Sequence, residues 1–434
     1  MRETIEINID NSLLFKKQLL EWGRGQEYFL LLDSHHFAGN TSNNNYHYDF
    51  LAAFGQMDHI KADENNGFAE LENFLKTKND WAFGYFTYDL KNEVEALQSL
   101  NTDNLGFPAL YFFQPECVIV SENQSVVLHF LPGKETYDFY ADLMERIKNI
   151  QPGKPSVISS SVNIQNRFAK EEYLETVTNL KHHIKRGDIY EINFCQEFYD
   201  FTSIDPFDVY SRLANISPAP FSCFCKYDDK YILSSSPERF MKKTGNKVFS
   251  QPIKGTAKRG DTERQDNELR EKLYNDKKEK AENVMIVDLV RNDLSRVALS
   301  GSVKVEELFG IYTFEHVHQM ISTISCEINP DDYLEVIKKS FPMGSMTGAP
   351  KVKAMQLIEK YERTKRGVFS GSVGYFTPEK DFDFNVIIRT ILYNSSRNYV
   401  SYSVGGAITH LANPQSEFEE CNIKSAAMKK VLNN

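Results

Sequence analysis

Phe221–Ser236 reads FSCFCKYDDKYILSSS. Two short apolar segments, Phe221–Lys226 and Lys230–Ser234, flank a polar turn. Cys223 and Cys225 alternate with other residues along the first segment, the period of two that marks a strand. Working outward, strand patterns recur upstream at Ile189–Phe198, Ser125–Phe130, Trp81–Tyr88 and Tyr28–Leu32. Downstream they recur at Val303–Leu308, Ile321–Ile328, Gly371–Thr377, Phe384–Leu392 and Tyr399–Val404. Helical spacing is read at Tyr137–Ile150, Lys170–Arg186, most of Thr262–Leu294, Asp331–Ser340, Lys351–Tyr361 and Gln415–Val431. In Lys170–Arg186, Tyr173, Leu174, Val177, Leu180 and Ile184 recur at steps of three and four, with Gly187 placed to cap the end. Strands outnumber helices and many are joined by short turns. The expected class is therefore α+β, antiparallel sheets flanked by helices, rather than a doubly wound parallel sheet.

The chain has 434 residues, 41% hydrophobic and 25% charged, with 31 Phe and 22 Tyr, which excludes a disordered chain. No run of about 18 apolar residues exists, so no membrane-spanning helix is expected. The net charge of -10 argues against delocalised nucleic-acid binding; an anionic substrate would need a local cluster of Lys, Arg or metal. MRETIEINID has neither an apolar signal core nor an Arg-rich leader, and a cytoplasmic location is expected. The six cysteines, at 117, 195, 223, 225, 326 and 421, show no CxxC spacing and read as buried thiols. The polar run Gln151–Gln165 is the expected internal boundary, between residues 1–150 and 165–434.

Several short motifs carry possible chemistry. Glu279 and Glu282, and Glu417 and Glu420, lie three apart on two helices, so each pair shares a face. Two such faces opposed suit Mg²⁺, a hard cation that takes carboxylate oxygens. Each pair alone is an ordinary solvated helix face. Lys254, in SQPIKGTAKRG, is a surface charge unless it is buried by a pocket, where a desolvated amine becomes a nucleophile. Glu238 follows an apolar strand and is a candidate proton donor if its pKa is raised; otherwise it belongs to an exposed turn. FPMGSMTGAPK, Phe341–Lys351, offers backbone N–H groups to an anion but lacks the spacing of a nucleotide P-loop. Gly405-Gly406-Ala407 follows a strand and permits close backbone approach. Arg389, expected within an apolar strand, needs a partner, either an internal carboxylate or a carboxylate-bearing ligand.

Together these segments resemble the chorismate-utilising enzymes. The family comprises component I of anthranilate synthase and of aminodeoxychorismate synthase, with isochorismate and salicylate synthases. The resemblance rests on GDIYEINF (187–194), SSPERF (235–240), PIKGTAKRG (252–260), AENVMIVDLVRNDLSRV (281–297), FPMGSMTGAPKVKAM (341–355), RGVFSGSVGYF (366–376), IIRT (387–390) and GGAITHLANPQSEFEEC (405–421), in that order. Before them, GYFTYDL (84–90) looks like the family's N-terminal strand motif. The resemblance implies an anthranilate synthase component I-like fold, a two-layer antiparallel β-sandwich with outer helices. Residues 1–150 would form the N-terminal part of the sandwich and 165–434 the chorismate-binding catalytic region.

The resemblance also implies roles. Glu279, Glu282, Glu417 and Glu420 fall on Mg²⁺-binding positions. Arg389, Gly406, Ala407, Ser345 and Thr256 fall on substrate-binding positions, and Glu238 on that of the acid that helps expel the 4-hydroxyl. Lys254 in PIKGT resembles the aminodeoxychorismate synthase component I pattern, in which the lysine attacks ring C2 and ammonia then enters at C4. Anthranilate synthase component I, the alternative, usually has Ala there. The implied partner is a glutamine amidotransferase subunit, because no Cys sits in a GxCxG context; free ammonia would serve in its place. Glu191 stands where isochorismate and salicylate synthases carry a water-activating Lys and where amino-transferring members usually have Gln. Gln319, Phe369 and Ala407 replace a common His, Tyr and Gly.

Overall fold

The Phe221–Ser236 hairpin forms with Tyr227 opposite Lys230 and Phe221 opposite Ser236. Asp228 turns the chain at φ 57, a left-handed conformation in which Asp is enriched over most side chains. The computed structural model describes residues 2–35, 48–122, 125–132, 137–153 and 162–433, so positions 154–161 of the expected boundary lie outside the described residues.

Twenty strands are hydrogen-bonded into one antiparallel network among the described residues. It has two arms joined through the long paired strands Phe50–Ala62 and Leu110–Glu122. The first arm runs from Phe50–Ala62 through Tyr28–Asp33, the hairpin, Thr390–Asn394 and Tyr399–Ile408 to Glu191–Phe201. The second runs from Leu110–Glu122 through Ala82–Phe86, Ser372–Phe376, Phe382–Asn385, Arg239–Thr244 and Lys247–Gln251 to Val317–Glu327. Each arm therefore combines strands from the N-terminal, middle and C-terminal parts of the sequence.

The two-residue period decides which face each side chain covers. Leu30, Cys223, Cys225 and Ile232 of the first arm join a core with Phe83, Met241, Val248 and Phe384 of the second. Their neighbours Phe29, Leu31, Phe224 and Leu233 point the other way, into a second core closed by Phe15, Tyr173, Val177, Tyr210 and Met428 from helices. One core thus lies between the layers and the other beneath the outer helices. Burial of this aromatic-rich interior is the main favourable term in holding the layers together. All six cysteines are buried free thiols in these cores.

The helix Lys170–Arg186 forms over the expected residues, with Gly187 at φ 85 donating its N–H to Ile184 O. Thr262–Leu294 resolves into two helices, Glu263–Asn275 and Lys277–Ser295, parted at Asp276, whose side chain caps the second.

Three expectations are corrected, and each correction falls at the candidate site. Phe384–Leu392 is two strands, not one, because the chain leaves the second arm after Asn385 and joins the first at Thr390. Arg389 lies in that crossing at φ 51, outside any strand. Gly405, Gly406 and Ala407 lie within Tyr399–Ile408 and pair with Cys195, Phe194 and Asn193 instead of following the strand. Lys254 is not on a loop but on the strand Ile253–Lys258.

Candidate active site

Glu238 occupies the break between Lys230–Ser236 and Arg239–Thr244, 5% exposed. Its neighbours Ser236 and Val386 hold that break: Ser236 Oγ donates to Val386 O at 2.6 Å, and Val386 N–H donates to Glu238 O. Burial pushes the Glu238 carboxyl up to about 7, against hydrogen bonds from Ser345 and the Ile253 N–H and the nearby charges of Lys254 and Arg389. The expected alternative, an exposed turn, does not occur. Ser345 comes from the turn Gly344–Met346, whose carbonyl side is held by Asn193 Nδ2 donating to Ser345 O at 3.0 Å. A small pocket opens beside this pair, lined by Glu238, Ser345, Pro252, Val290, Met343 and Val386 among others.

Lys254 is next. Its Nζ donates to Glu191 Oε1 at 2.9 Å, with side-chain exposures of 13% and 3%. Burial works against the ammonium, yet Glu191, Glu282 and Glu238 outweigh it and hold the group above its ordinary value. The structure therefore presents a protonated lysine paired to a buried carboxylate. Glu191 Oε2 is buried with no hydrogen-bond partner among the described residues. Arg389 has no ion pair or side-chain hydrogen bond among the described residues; burial lowers its pKa, and Glu238 is the charge that opposes this. The internal salt bridge considered for Arg389 is absent there.

The four helix carboxylates face this group. Glu279 and Glu282 lie on Lys277–Ser295 and Glu417 and Glu420 on Pro414–Asn433. Burial pushes Glu417 up to about 7, and Glu420 adds to the effect. Burial also raises Glu279 and Glu282. Glu420 is held low despite burial, chiefly by Lys424 at 2.7 Å. Lys278, 3.7 Å from Glu282, feels the charge of all four carboxylates. Two glycines admit them: a Cβ on Gly255, at φ 95, would lie 3.2 Å from Glu279 Oε2, and one on Gly406 3.2 Å from Glu417 Oε2.

The donor set is all carboxylate, as a hard divalent cation prefers, and its mutual repulsion is what such a cation relieves. In the conformation described, no group of three or more His, Cys, Asp or Glu is arranged to hold a metal among the described residues. Thr256 is exposed, unlike Glu238, Glu282 and Glu417, and pairs with Gln319 across the ladder. Ala407 contributes only its place opposite Asn193 in the strand pairing. Sequence reasoning missed Lys278 as the shared counter-charge, although its i,i+4 spacing to Glu282 was readable. It also gave no role to the Glu191–Lys254 pair, whose 63-residue separation leaves no local signal.

The family described as chorismate binding enzyme matches residues 30–430. The chain is 34% identical over 355 residues to anthranilate synthase component 1 of Thermus thermophilus, covering 80% of this chain and 76% of that one. It is 31% identical over 363 residues to aminodeoxychorismate synthase component 1 of Bacillus subtilis, covering 81% and 76%. Its fold matches that of anthranilate synthase component I from Streptococcus pneumoniae with a TM-score of 0.77 at 23% identity, over 90% and 93% of the two chains. The chain belongs to the chorismate binding enzyme family. No helix among the described residues is long and apolar enough to cross a membrane.

Proposed function

We propose that the chain is the component I type of aminodeoxychorismate synthase, converting chorismate and ammonia to 4-amino-4-deoxychorismate on the way to p-aminobenzoate and folate. The observation that carries this reading over the anthranilate alternative is Lys254, a buried amine in the same cluster as a protonatable Glu238. A tethered amine has a large effective concentration over free ammonia, up to ~10⁵ M when well oriented. Lys254 would therefore reach C2 first and direct ammonia to C4.

Each residue's part follows from its surroundings. Glu238, neutral below about pH 7, protonates the departing 4-hydroxyl, and Ser345 orients it. Arg389, with no side-chain partner among the described residues, offers its guanidinium fork to a substrate carboxylate. Glu279, Glu282, Glu417 and Glu420 would hold Mg²⁺, and Lys278 stands where its charge would be exchanged for that of the ion. Bound Mg²⁺ supplies positive charge that offsets an anionic substrate. Ammonia would come from a glutamine amidotransferase subunit or from solution, and the cytoplasm is the proposed location.

The test is incubation of the chain with chorismate, Mg²⁺ and ammonium, followed by product identification. The expected product is 4-amino-4-deoxychorismate, lost in Lys254→Ala. Anthranilate from the wild-type chain would establish the alternative. Glutamine alone should support no turnover without a partner; robust glutamine-dependent activity of the lone chain would overturn the two-component reading.

A further inference from the structure

We infer that Glu191 is the proton store for Lys254, taking a proton from its Nζ as the amine attacks and returning it when the amine leaves. This rests on the reading of Lys254 as nucleophile. The lysine cannot attack as an ammonium, so one proton must go to a defined acceptor. Five carboxylates act on Lys254: Glu191, Glu282, Glu238, Glu279 and Glu420. Only Glu191 hydrogen-bonds it among the described residues, at 2.9 Å. Glu238 is committed to the leaving hydroxyl, and the other three belong to the acidic helix faces. Glu191 Oε2 has no hydrogen-bond partner among the described residues, so the carboxylate has acceptor capacity to spare.

The backbone fixes Glu191 in place. Tyr190 N–H donates to Ala349 O at 2.7 Å, and Glu191 itself pairs with Ala349 across a short ladder. Asn193, two residues on, holds Ser345, the partner of Glu238. The proton store and the proton donor are thus braced by one segment. Moving a proton along the existing hydrogen bond turns an ion pair into two neutral groups, which a site sealed from water by substrate favours.

The two half-reactions balance. In the first, the Nζ–C2 bond forms, both ring double bonds shift, from C1=C2 to C1=C6 and from C5=C6 to C4=C5, and the C4–O bond breaks. The hydroxyl leaves as water with the Glu238 proton, and one Nζ proton passes to Glu191. In the second, the ammonia nitrogen bonds C4, both double bonds shift back and the Nζ–C2 bond breaks. The extra proton on the new amine goes to Glu238, and Nζ recovers its proton from Glu191.

The experiment isolates the first half by omitting ammonia. Full-length chain, chorismate and Mg²⁺ are mixed, quenched, and weighed as intact protein for the Lys254 adduct, chorismate less water. Wild type should form adduct at a rate that holds up to about pH 7 and falls above it, as Glu238 loses the proton it gives to the leaving hydroxyl. Glu191→Gln keeps a hydrogen-bond acceptor but no base. It should form adduct roughly 10²-fold more slowly than wild type at about pH 7, and that gap should narrow by up to about tenfold per pH unit as solvent hydroxide takes over the base's part. Should that variant misfold by circular dichroism, Glu191→Ala with added formate decides: rescue of adduct formation supports the assignment, and no rescue overturns it. A Glu191→Gln chain as fast as wild type, or faster, with an unchanged profile overturns the Glu191 role while leaving Lys254 as nucleophile. No adduct in the wild-type chain removes the nucleophile reading and this inference with it.

Discussion

Glu238 is a carboxyl group kept from water, and its folded value of about 7 lies above the ordinary 4.5. As pH rises the unfolded chain releases this proton first. The stability the neutral buried acid contributes is therefore complete below about pH 4.5 and lost by about pH 7, a difference of ~3 kcal/mol. Glu238→Gln removes that loss together with the acid. Its thermal unfolding should match wild type near pH 4.5 and occur several degrees higher near pH 8, while turnover falls by roughly 10²-fold or more. A variant melting below wild type near pH 8 would contradict the buried-acid account. At this scale the sequence named Glu238, Lys254, Ser345 and Arg389 as candidates, but not their states. A protonated Lys254 depends on Glu191, 63 positions away, and a neutral Glu238 on packing that no local pattern encodes. Arg389 shows the same limit: an apolar run such as Phe384–Leu392 reads as one strand, and only the layer crossing puts a bend at its end.

The strand Tyr399–Ile408 and the helix Pro414–Asn433 meet at two adjacent glycines with different duties. A Cβ on Gly405 would lie 2.2 Å from the Phe194 carbonyl, so Gly405→Ala forces apart the ladder between Tyr399–Ile408 and Glu191–Phe201. The nearest atoms to a Cβ on Gly406 are the Glu417 and Glu420 carboxylates, at 3.2 and 3.6 Å. Gly405→Ala should lower stability by ~2 kcal/mol or more, seen in denaturant titration. Gly406→Ala should keep the wild-type midpoint but raise the Mg²⁺ concentration needed for half-maximal turnover several-fold. Equal effects of the two on stability would refute this division. Helices were the more legible elements, because caps and 3.6-residue spacing are local, as Gly187 and Asp276 illustrate. Strand ends were less so: a strand continues while a partner is available, and Tyr399–Ile408 runs past its apolar segment because Glu191–Phe201 is there to pair with it.

In the whole molecule, the candidate site lies where the two arms and two helices converge, so its state should register in global stability. Four carboxylates with Lys278 as shared counter-charge repel one another. An ion bound only by the folded chain stabilises it by mass action, about 2.7 kcal/mol at a hundredfold excess over Kd. Millimolar Mg²⁺ should raise the melting temperature by several degrees, chelator should reverse the shift, and Glu417→Ala should abolish both the shift and chorismate turnover. A wild-type chain fully active in chelator would refute the metal assignment. The α+β class with antiparallel sheets was readable from strand alternation and the two layers were implied by the family resemblance, whereas the order of strands in each arm, which threads the N-terminal region between later segments, was not. The six thiols sealed in the two cores have a further consequence. Burial raises Cys326 to about 11 and Cys195 to about 12, so scarcely any reactive thiolate exists in the folded chain. An alkylating probe should add no mass to the native protein, then all six labels whenever a molecule opens fully. The cysteines thereby form an internal clock: the pace of labelling counts global opening events, and a partial count would reveal which layer breathes first.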